Sequence, residues 1–162
     1  MIKSERKLHI EPLPNAEQFS LKVAFATRDR HHVDQHFGMA KCVLIYGISE
    51  ERWSLVEAIE YPTIDENTHD KLPARISDLE ECSAIYCNAC GAAAIRQLLS
   101  HDINPVKVSV GANIHTQIAD IQAELKGQPM GWLARALKLS ERKKLAVDHV
   151  EERLDRLMDE EW

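Results

Sequence analysis

The order of apolar patterns along the chain is the feature that most constrains its fold. Three strand-like runs come first, at residues 21–26, 42–46 and about 53–61. Two further strand-like runs, at residues 83–87 and 105–110, then alternate with three helical patterns. Three strands followed by alternating helices and strands predict an α/β fold, in which helices flank a mixed five-stranded sheet.

The two kinds of element are distinguished by their periods. In residues 21–26 the larger apolar side chains fall at every second position, as in a strand with one face on the core. The clearest helix follows the last strand and is ended by Gly127 and Pro129. Its apolar residues, at spacings of four, three and four, are Ile114, Ile118, Ile121 and Leu125.

The chain divides into three parts by composition. Residues 1–20 are polar, contain Pro12 and Pro14 and show no sustained period, which predicts a flexible leader. The α/β domain is predicted to span residues 21–127, and a helical C-terminal tail residues 128–162.

The tail ends in a charged helix that begins at about Ser140 and carries a narrow apolar stripe. The stripe residues, at spacings of three, four and three, are Val147, Val150, Leu154 and Leu157. The pattern favours packing of this helix on its own domain, and leaves open pairing with another helix or docking of a partner.

Composition and charge exclude several classes of protein. The chain has 162 residues, enough for one domain, and a formal charge of −6 from 26 acidic and 20 basic side chains. A general nucleic-acid binder would need a basic surface, so nucleic acid is not expected as a partner. No apolar run approaches the roughly 20 residues that span a membrane. Four cysteines without a signal-like N-terminal segment indicate a reducing cytoplasm.

A histidine-rich segment between the first two strands is the first candidate for function. Residues 29–38 contain three histidines and two aspartates in a turn-like stretch, and basic side chains flank it. Loops between strands that are rich in ligating residues usually carry function, because the strands hold them in place.

A pair of cysteines marks a second candidate. Cys87 and Cys90 bracket the turn between the fourth strand and the helix that begins at Gly91. Unpaired amides and the helix dipole favour thiolate and attract anions at such a turn. Cys42 lies within a strand and Cys82 at a helix end, so both are interpreted as structural.

The motifs of the chain resemble the dinitrogenase iron-molybdenum cofactor biosynthesis family. The stretches that carry the resemblance are residues 33–38 (Val-Asp-Gln-His-Phe-Gly), 79–87, 90–99 and 105–109. The resemblance covers about residues 21–127, and it is greatest to the NifX type of carrier in that family.

The resemblance implies a ribonuclease-H-like α/β fold without nuclease activity. It also implies a cytoplasmic protein that catalyses no reaction, and that binds and transfers an iron-sulfur precursor of the iron-molybdenum cofactor as transient cargo. The implied partners are the radical enzyme that synthesises the precursor, as donor, and the scaffold on which the cofactor matures, as acceptor. We expect the protein to be a monomer.

The resemblance identifies His36 as the main ligand of the iron-sulfur cargo. Imidazole suits iron, and a single protein ligand gives a bond that can be exchanged. Asp34 is expected to orient His36 or to cap the following turn, and Gly38 to let the backbone turn sharply beside a bulky ligand. His31 and His32 are expected to supply positive charge or hydrogen bonds to cluster sulfides.

The second ligand is left open between Cys87 and Cys90. Because the cargo is large and anionic, it suits a cup made of the helix amides after Gly91, a guanidinium from Arg28 or Arg30, and one soft ligand. Two cysteines alone cannot form a closed four-ligand zinc or iron-sulfur site, which agrees with transient binding.

Two other functions fit parts of the sequence. The Cys-x-x-Cys spacing before a helix is also typical of a thiol-disulfide oxidoreductase. A metal-free docking module that uses the C-terminal helix would leave His36 without a role. Replacement of His36 by alanine therefore distinguishes the carrier from the docking module, and turnover of a model disulfide identifies the thiol enzyme.

Overall fold

The computed structural model describes residues 6–9, 19–61 and 72–159. The strands are β1 (Arg6–His9), β2 (Leu21–Thr27), β3 (His32–Val33), β4 (Cys42–Ile48), β5 (Trp53–Glu60), β6 (Ala84–Cys87), β7 (Asn104–Lys107) and β8 (Ala112–Asn113). The helices are α1 (Leu72–Ser77), α2 (Ala92–Ser100), α3 (Ile114–Lys126) and α4 (Gly131–Asp159), with a short 3-10 helix at Phe37–Met39.

One mixed sheet organises the molecule, with the strand order β1-β5-β4-β2-β6-β7. In this order the first four strands, β1, β5, β4 and β2, pair antiparallel with their neighbours. The strands β2, β6 and β7 pair parallel. The five strands predicted from the sequence are five of these six. The fold class is therefore confirmed: a ribonuclease-H-like α/β sheet with flanking helices and a C-terminal helix.

Both faces of the sheet are buried, because side chains alternate along each strand. In β2, Val23 and Phe25 point to the face that α3 and the first turn of α4 cover, where Leu133 is buried. Ala24 and Ala26 point to the opposite face, which α1 and α2 cover. The result is three layers, with the sheet in the middle.

The structure corrects the prediction for part of the leader. Residues 6–9 pair with β5 in the register Arg6↔Glu60 to His9↔Glu57. A polar segment can form an edge strand because its partner supplies the backbone hydrogen bonds, so no apolar period is needed. Residues 1–5 and 10–18 of the predicted leader lie outside the described residues.

The C-terminal helix also differs from the prediction. Residues 131–159 form one helix of 29 residues, where the sequence predicted a helix only from about Ser140. No glycine or proline interrupts residues 132–159, so nothing breaks the helix. The prediction that the apolar stripe of this helix packs on its own domain was wrong, because the four stripe residues are 48–56% exposed.

No helix within the described residues is long and apolar enough to cross a membrane. All four cysteines are free thiols.

Candidate functional site

The histidine loop and the cysteine turn lie at the same edge of the sheet. The histidine loop follows β2 and the cysteine turn follows β6, and these two strands are parallel neighbours that pair Phe25 with Tyr86. Parallel strands end at one edge, and ligands of α/β sheets bind beyond the carboxyl ends of such strands.

Two backbone hydrogen bonds hold the loops together. The Asn88 amide donates to the Gln35 carbonyl and the Phe37 amide donates to the Ala89 carbonyl, both at 3.0 Å. His36 therefore lies between two residues that are bonded to the cysteine turn. This places its backbone beside the segment that Cys87 and Cys90 bracket.

His36 presents a free imidazole to solvent. It is exposed, it precedes the 3-10 helix, and its ring makes no hydrogen bond to any described residue. The next residue, Phe37, is 1% exposed and anchors the loop in the core. Beneath it, buried Arg75 of α1 donates to the Ala40 carbonyl at 2.8 Å and to the Phe37 carbonyl at 3.4 Å. An exposed ligand is thus carried on a well-anchored backbone.

The two thiols of the cysteine turn have opposite character. Cys87 is buried at the end of β6, and Cys90 is half-buried just before α2. Hydrogen bonding to Cys90, together with burial, raises the pKa of the Cys87 thiol. The same hydrogen bond lowers the pKa of Cys90, although burial opposes this shift. Cys90 is therefore the more accessible thiol and the one that more readily becomes a thiolate.

The N-terminus of α2 adds electropositive character to this side of the turn. Gly91 is the N-cap and no side chain caps the helix amides. The first amides of a helix have no partner within the helix, so they are available to an anion. Gly91 is exposed, and a Cβ added there would meet no atom within 4 Å.

The other histidines belong to a network around Asp29. Its Oδ1 accepts from the amides of His31 at 2.7 Å and His32 at 2.8 Å, and its Oδ2 lies 2.7 Å from Nδ1 of His32. These bonds, the His31 amide first, hold the pKa of Asp29 well below its usual range. His32 is thus engaged locally, while the His31 side chain is exposed.

Arg30 is committed to a different partner. It adopts a left-handed backbone conformation with φ of 68°, and its guanidinium forms an ion pair with Glu60 of β5. Arg28 is exposed and its side chain forms no ion pair within the described residues. Of the two arginines proposed for the anion cup, Arg28 is the one whose charge is not already paired.

The structure gives Asp34 and Gly38 roles that differ from the expected ones. Asp34 Oδ1 accepts from the Arg28 amide at 2.7 Å, so this side chain ties the loop to the end of β2. Gly38 lies in the 3-10 helix, its φ is not positive, and a Cβ there would meet nothing within 4 Å. The backbone at residue 38 does not require glycine.

Asn88 is the structural residue of the site that the sequence analysis missed. It is 6% exposed, and its Nδ2 donates to the Val33 carbonyl at 2.9 Å and to the Val108 carbonyl at 3.2 Å. Its Oδ1 is buried without a hydrogen-bond partner in the described part of the chain. The available signal was an amide residue between two cysteines, directly after a buried strand.

Cys42 directly follows the histidine loop and pairs with Thr27 at the end of β2, whereas Cys82 lies at the opposite end of the sheet, before β6. Both are buried, as expected of structural residues. Burial raises the pKa of the Cys42 thiol, and it raises the pKa of the Cys82 thiol to about 12.

The site offers few ligands. Within residues 6–9, 19–61 and 72–159 no three histidine, cysteine or acidic side chains cluster so that they could hold a metal ion. The arrangement can supply one imidazole, one thiolate and a set of helix amides, which suits a preassembled anionic ligand better than a bare cation.

Comparison with known proteins agrees with this geometry. Residues 20–124 match the family described as "Dinitrogenase iron-molybdenum cofactor". The chain is 45% identical over 119 residues to Protein NifX of Azotobacter vinelandii, covering 73% of this chain and 75% of that protein. It is 33% identical over 108 residues to Protein NifX of Klebsiella pneumoniae, covering 67% and 69%.

A solved structure has a similar fold. The crystal structure of PH0822 superposes with a TM-score of 0.52 at 27% identity, over 64% of this chain and 89% of that one.

Proposed function

The chain belongs to the dinitrogenase iron-molybdenum cofactor family and acts in nitrogenase cofactor biosynthesis, and from this premise we propose that it is a non-catalytic cytoplasmic carrier of an iron-sulfur precursor of that cofactor. The observation that carries the proposal is the joining of two loops by backbone hydrogen bonds. They place the exposed, unpartnered His36 beside the Cys87–Cys90 turn.

His36 serves as the exchangeable ligand. Histidines that hold resident metals usually donate their second ring N–H to a fixed partner, which orients the ring and strengthens the bond. The ring of His36 has no such partner among the described residues. Such a ligand can bind a cluster and release it again, as transfer from a donor to an acceptor requires.

Cys90 serves as the second ligand in preference to Cys87. It is the accessible thiol of the pair, and its lowered pKa increases the fraction of thiolate, which is the form that binds iron. The buried Cys87 donates its hydrogen bond to Cys90 and so keeps that thiolate available.

The negative charge of the cargo is balanced by several groups around these ligands. The uncapped amides at the start of α2 and the exposed Arg28 and Lys41 surround the two loops. The exposed side chain of His31 adds a further donor. Arg30 and His32 are less suited to this role because each is already paired with a carboxylate.

The test is a titration with the isolated iron-sulfur precursor under anaerobic conditions. Iron per chain and the visible and paramagnetic spectra are compared for the parent, His36→Ala and His101→Ala. His101 is a matched control, because it is an exposed histidine at the far end of α2. We expect stoichiometric iron on the parent and the control, and at least about tenfold weaker binding by His36→Ala.

Cys90→Ser is expected to alter the spectrum of the bound cluster, whereas Cys82→Ser, at the opposite end of the sheet, leaves it unchanged. Equal affinity and equal transfer rate for the parent and His36→Ala would exclude the carrier mechanism described above. Turnover of a model disulfide without retained iron would instead favour the thiol-disulfide oxidoreductase, which the hydrogen-bonded thiols also suit.

A further inference from the structure

Helix α4 presents three stripes of different chemistry. Successive residues of an α-helix are rotated by 100° about its axis. Five cationic residues of α4, separated by 3, 4, 11 and 3 positions, therefore lie on one flank of the helix. They are Arg135, Lys138, Arg142, Arg153 and Arg156. The acidic side chains lie on the opposite flank, and they include Glu141, Asp148, Glu152, Asp155 and Asp159. The exposed apolar stripe runs between the two flanks.

The apolar stripe lies on the same side of α4 as a groove on the domain. A groove of about 410 Å³ separates the first half of α4 from the residues that precede β6 and β7. Trp132, Leu99 and Leu139 supply its apolar lining. Along α4 the lining residues Trp132, Ala136 and Leu139 lie on the same side as the stripe residues Val147, Val150, Leu154 and Leu157. The groove and the stripe lie on the same side of α4 with Lys143 between them, and we call the two together the docking face.

The cations beside the docking face have no acidic partners in the part of the chain that the structure describes. Arg135, Lys138 and Arg142 line the groove together with one carboxylate, that of Asp102. None of the five cations forms an ion pair within the described residues. In a chain of net charge −6, five unpaired cations along one flank of a helix are a local feature, and they complement an acidic partner.

We propose that the docking face binds an acidic amphipathic segment of a partner protein. Its apolar side chains fill the groove and cover the stripe, and its carboxylates pair with the five cations. This surface lies at the opposite end of the sheet from the cargo loops, since its groove adjoins the starts of β6 and β7. A partner docked there leaves His36 accessible, and the proposal is independent of the identity of the cargo.

Other occupants fit the surface less well. An anionic membrane or a nucleic acid would meet the acidic flank as well as the basic one. A second copy pairing through α4 would bring a helix with both acidic and basic flanks, whereas the groove presents three cations and one carboxylate.

The test uses two short helix-stapled peptides with the same leucine face. One carries glutamate along the flank of that face, and the other carries lysine at the same positions. Binding to the full chain is measured by fluorescence anisotropy at low and high salt. We expect the acidic peptide to bind at least about tenfold more tightly than the basic one, with a difference that shrinks as salt screens the charges.

Two charge-reversed variants test the position of the surface. Arg142→Glu and Lys144→Glu change the net charge equally and lie two residues apart, but Lys144 is on the acidic flank. We expect Arg142→Glu to lose several-fold affinity for the acidic peptide and Lys144→Glu to match the parent, with equal thermal melting of all three.

Equal binding of the two peptides, or equal loss in both variants, would overturn the proposal. So would a dimer in sedimentation at the assay concentration that Arg142→Glu dissociates, because a second copy would then occupy the face.

Discussion

At the scale of single residues, the chemistry of the site depends on groups that hold the loops as much as on the ligands. The side-chain amide of Asn88 donates hydrogen bonds to the carbonyls of Val33 and Val108. Asn88 therefore connects the histidine loop with the segment after β7. Asp34 performs a similar task through the Arg28 amide. A sequence pattern identifies a polar residue near a candidate ligand, but it does not show which backbone group that residue contacts.

The reactivity of the two cysteines provides a prediction at this scale. We expect iodoacetamide to modify Cys90 before Cys87, with a half-maximal rate at a pH below the ordinary pKa of a free cysteine thiol. The lowered pKa of Cys90 means that its thiolate persists to lower pH, while the raised pKa of Cys87 keeps that thiol protonated. Mass spectrometry of the modified peptides across a pH series measures both rates.

A variant tests whether the hydrogen bond from Cys87 is what lowers the pKa of Cys90. Cys87→Ala removes the hydrogen-bond donor, so the rate curve of Cys90 should move to higher pH. Cys82→Ala is the control, because Cys82 is buried away from the turn and should leave the curve in place. Faster modification of Cys87, or a curve that Cys87→Ala does not move, would contradict the assignment.

At the scale of elements, the short 3-10 helix after His36 is held in place by α1. Arg75 is 5% exposed, donates to two carbonyls at the ends of the 3-10 helix and lies 4.0 Å from the ring centroid of Tyr61. Buried carbonyls that lose a charged donor are costly, since water does not replace the bond. The position of the histidine loop therefore depends on an element far from it in the sequence.

Replacement of Arg75 tests this dependence. We expect Arg75→Met to lower the free energy of unfolding by about 1–3 kcal/mol, because the buried Ala40 carbonyl loses the guanidinium donor and the Phe37 carbonyl keeps only the Ala40 amide. Urea denaturation measures the loss. Arg96→Met is the matched control, since Arg96 is exposed on α2, and its effect should stay within about 0.5 kcal/mol. Similar stabilities for both variants would show that Arg75 does not hold the 3-10 helix.

Long elements were predictable from the sequence and short ones were not. The strands β2, β4 and β5 and the helix α3 have enough residues for an apolar period to stand out. By contrast, β3 and β8 have two residues each, and they exist because their backbones pair as His32↔Asn113 and Val33↔Ala112. No period can be read from two residues, so this small sheet depends on the loops being brought together.

At the scale of the whole molecule, the proposed cargo site and the proposed docking face lie at opposite ends of one sheet. The loops after β2 and β6 form the first, and the segments before β6 and β7 form part of the second. The second half of α4 extends beyond the domain, since residues 140–159 are exposed throughout. Binding at one end should therefore be separable from binding at the other.

Truncation after Lys144 tests this separation. Residues 145–159 are exposed, so we expect their removal to leave the free energy of unfolding unchanged within about 1 kcal/mol. Cargo affinity should also be unchanged, while affinity for the acidic peptide falls because the stripe and two of the five cations are lost. Thermal melting, iron titration and anisotropy measure the three quantities. A large loss of stability would mean that this half of α4 packs on the domain.

The sequence by itself determined the strand and helix order, the two candidate site loops and the family. These depend on local periods and motifs, which are properties of neighbouring residues. Only the tertiary structure decided that β1 joins the sheet, that Arg30 is paired with Glu60, that Cys90 rather than Cys87 is accessible, and that the stripe of α4 is uncovered. Each of these depends on contacts between residues distant in the chain, or on their absence, and burial and charge pairing are set by such contacts.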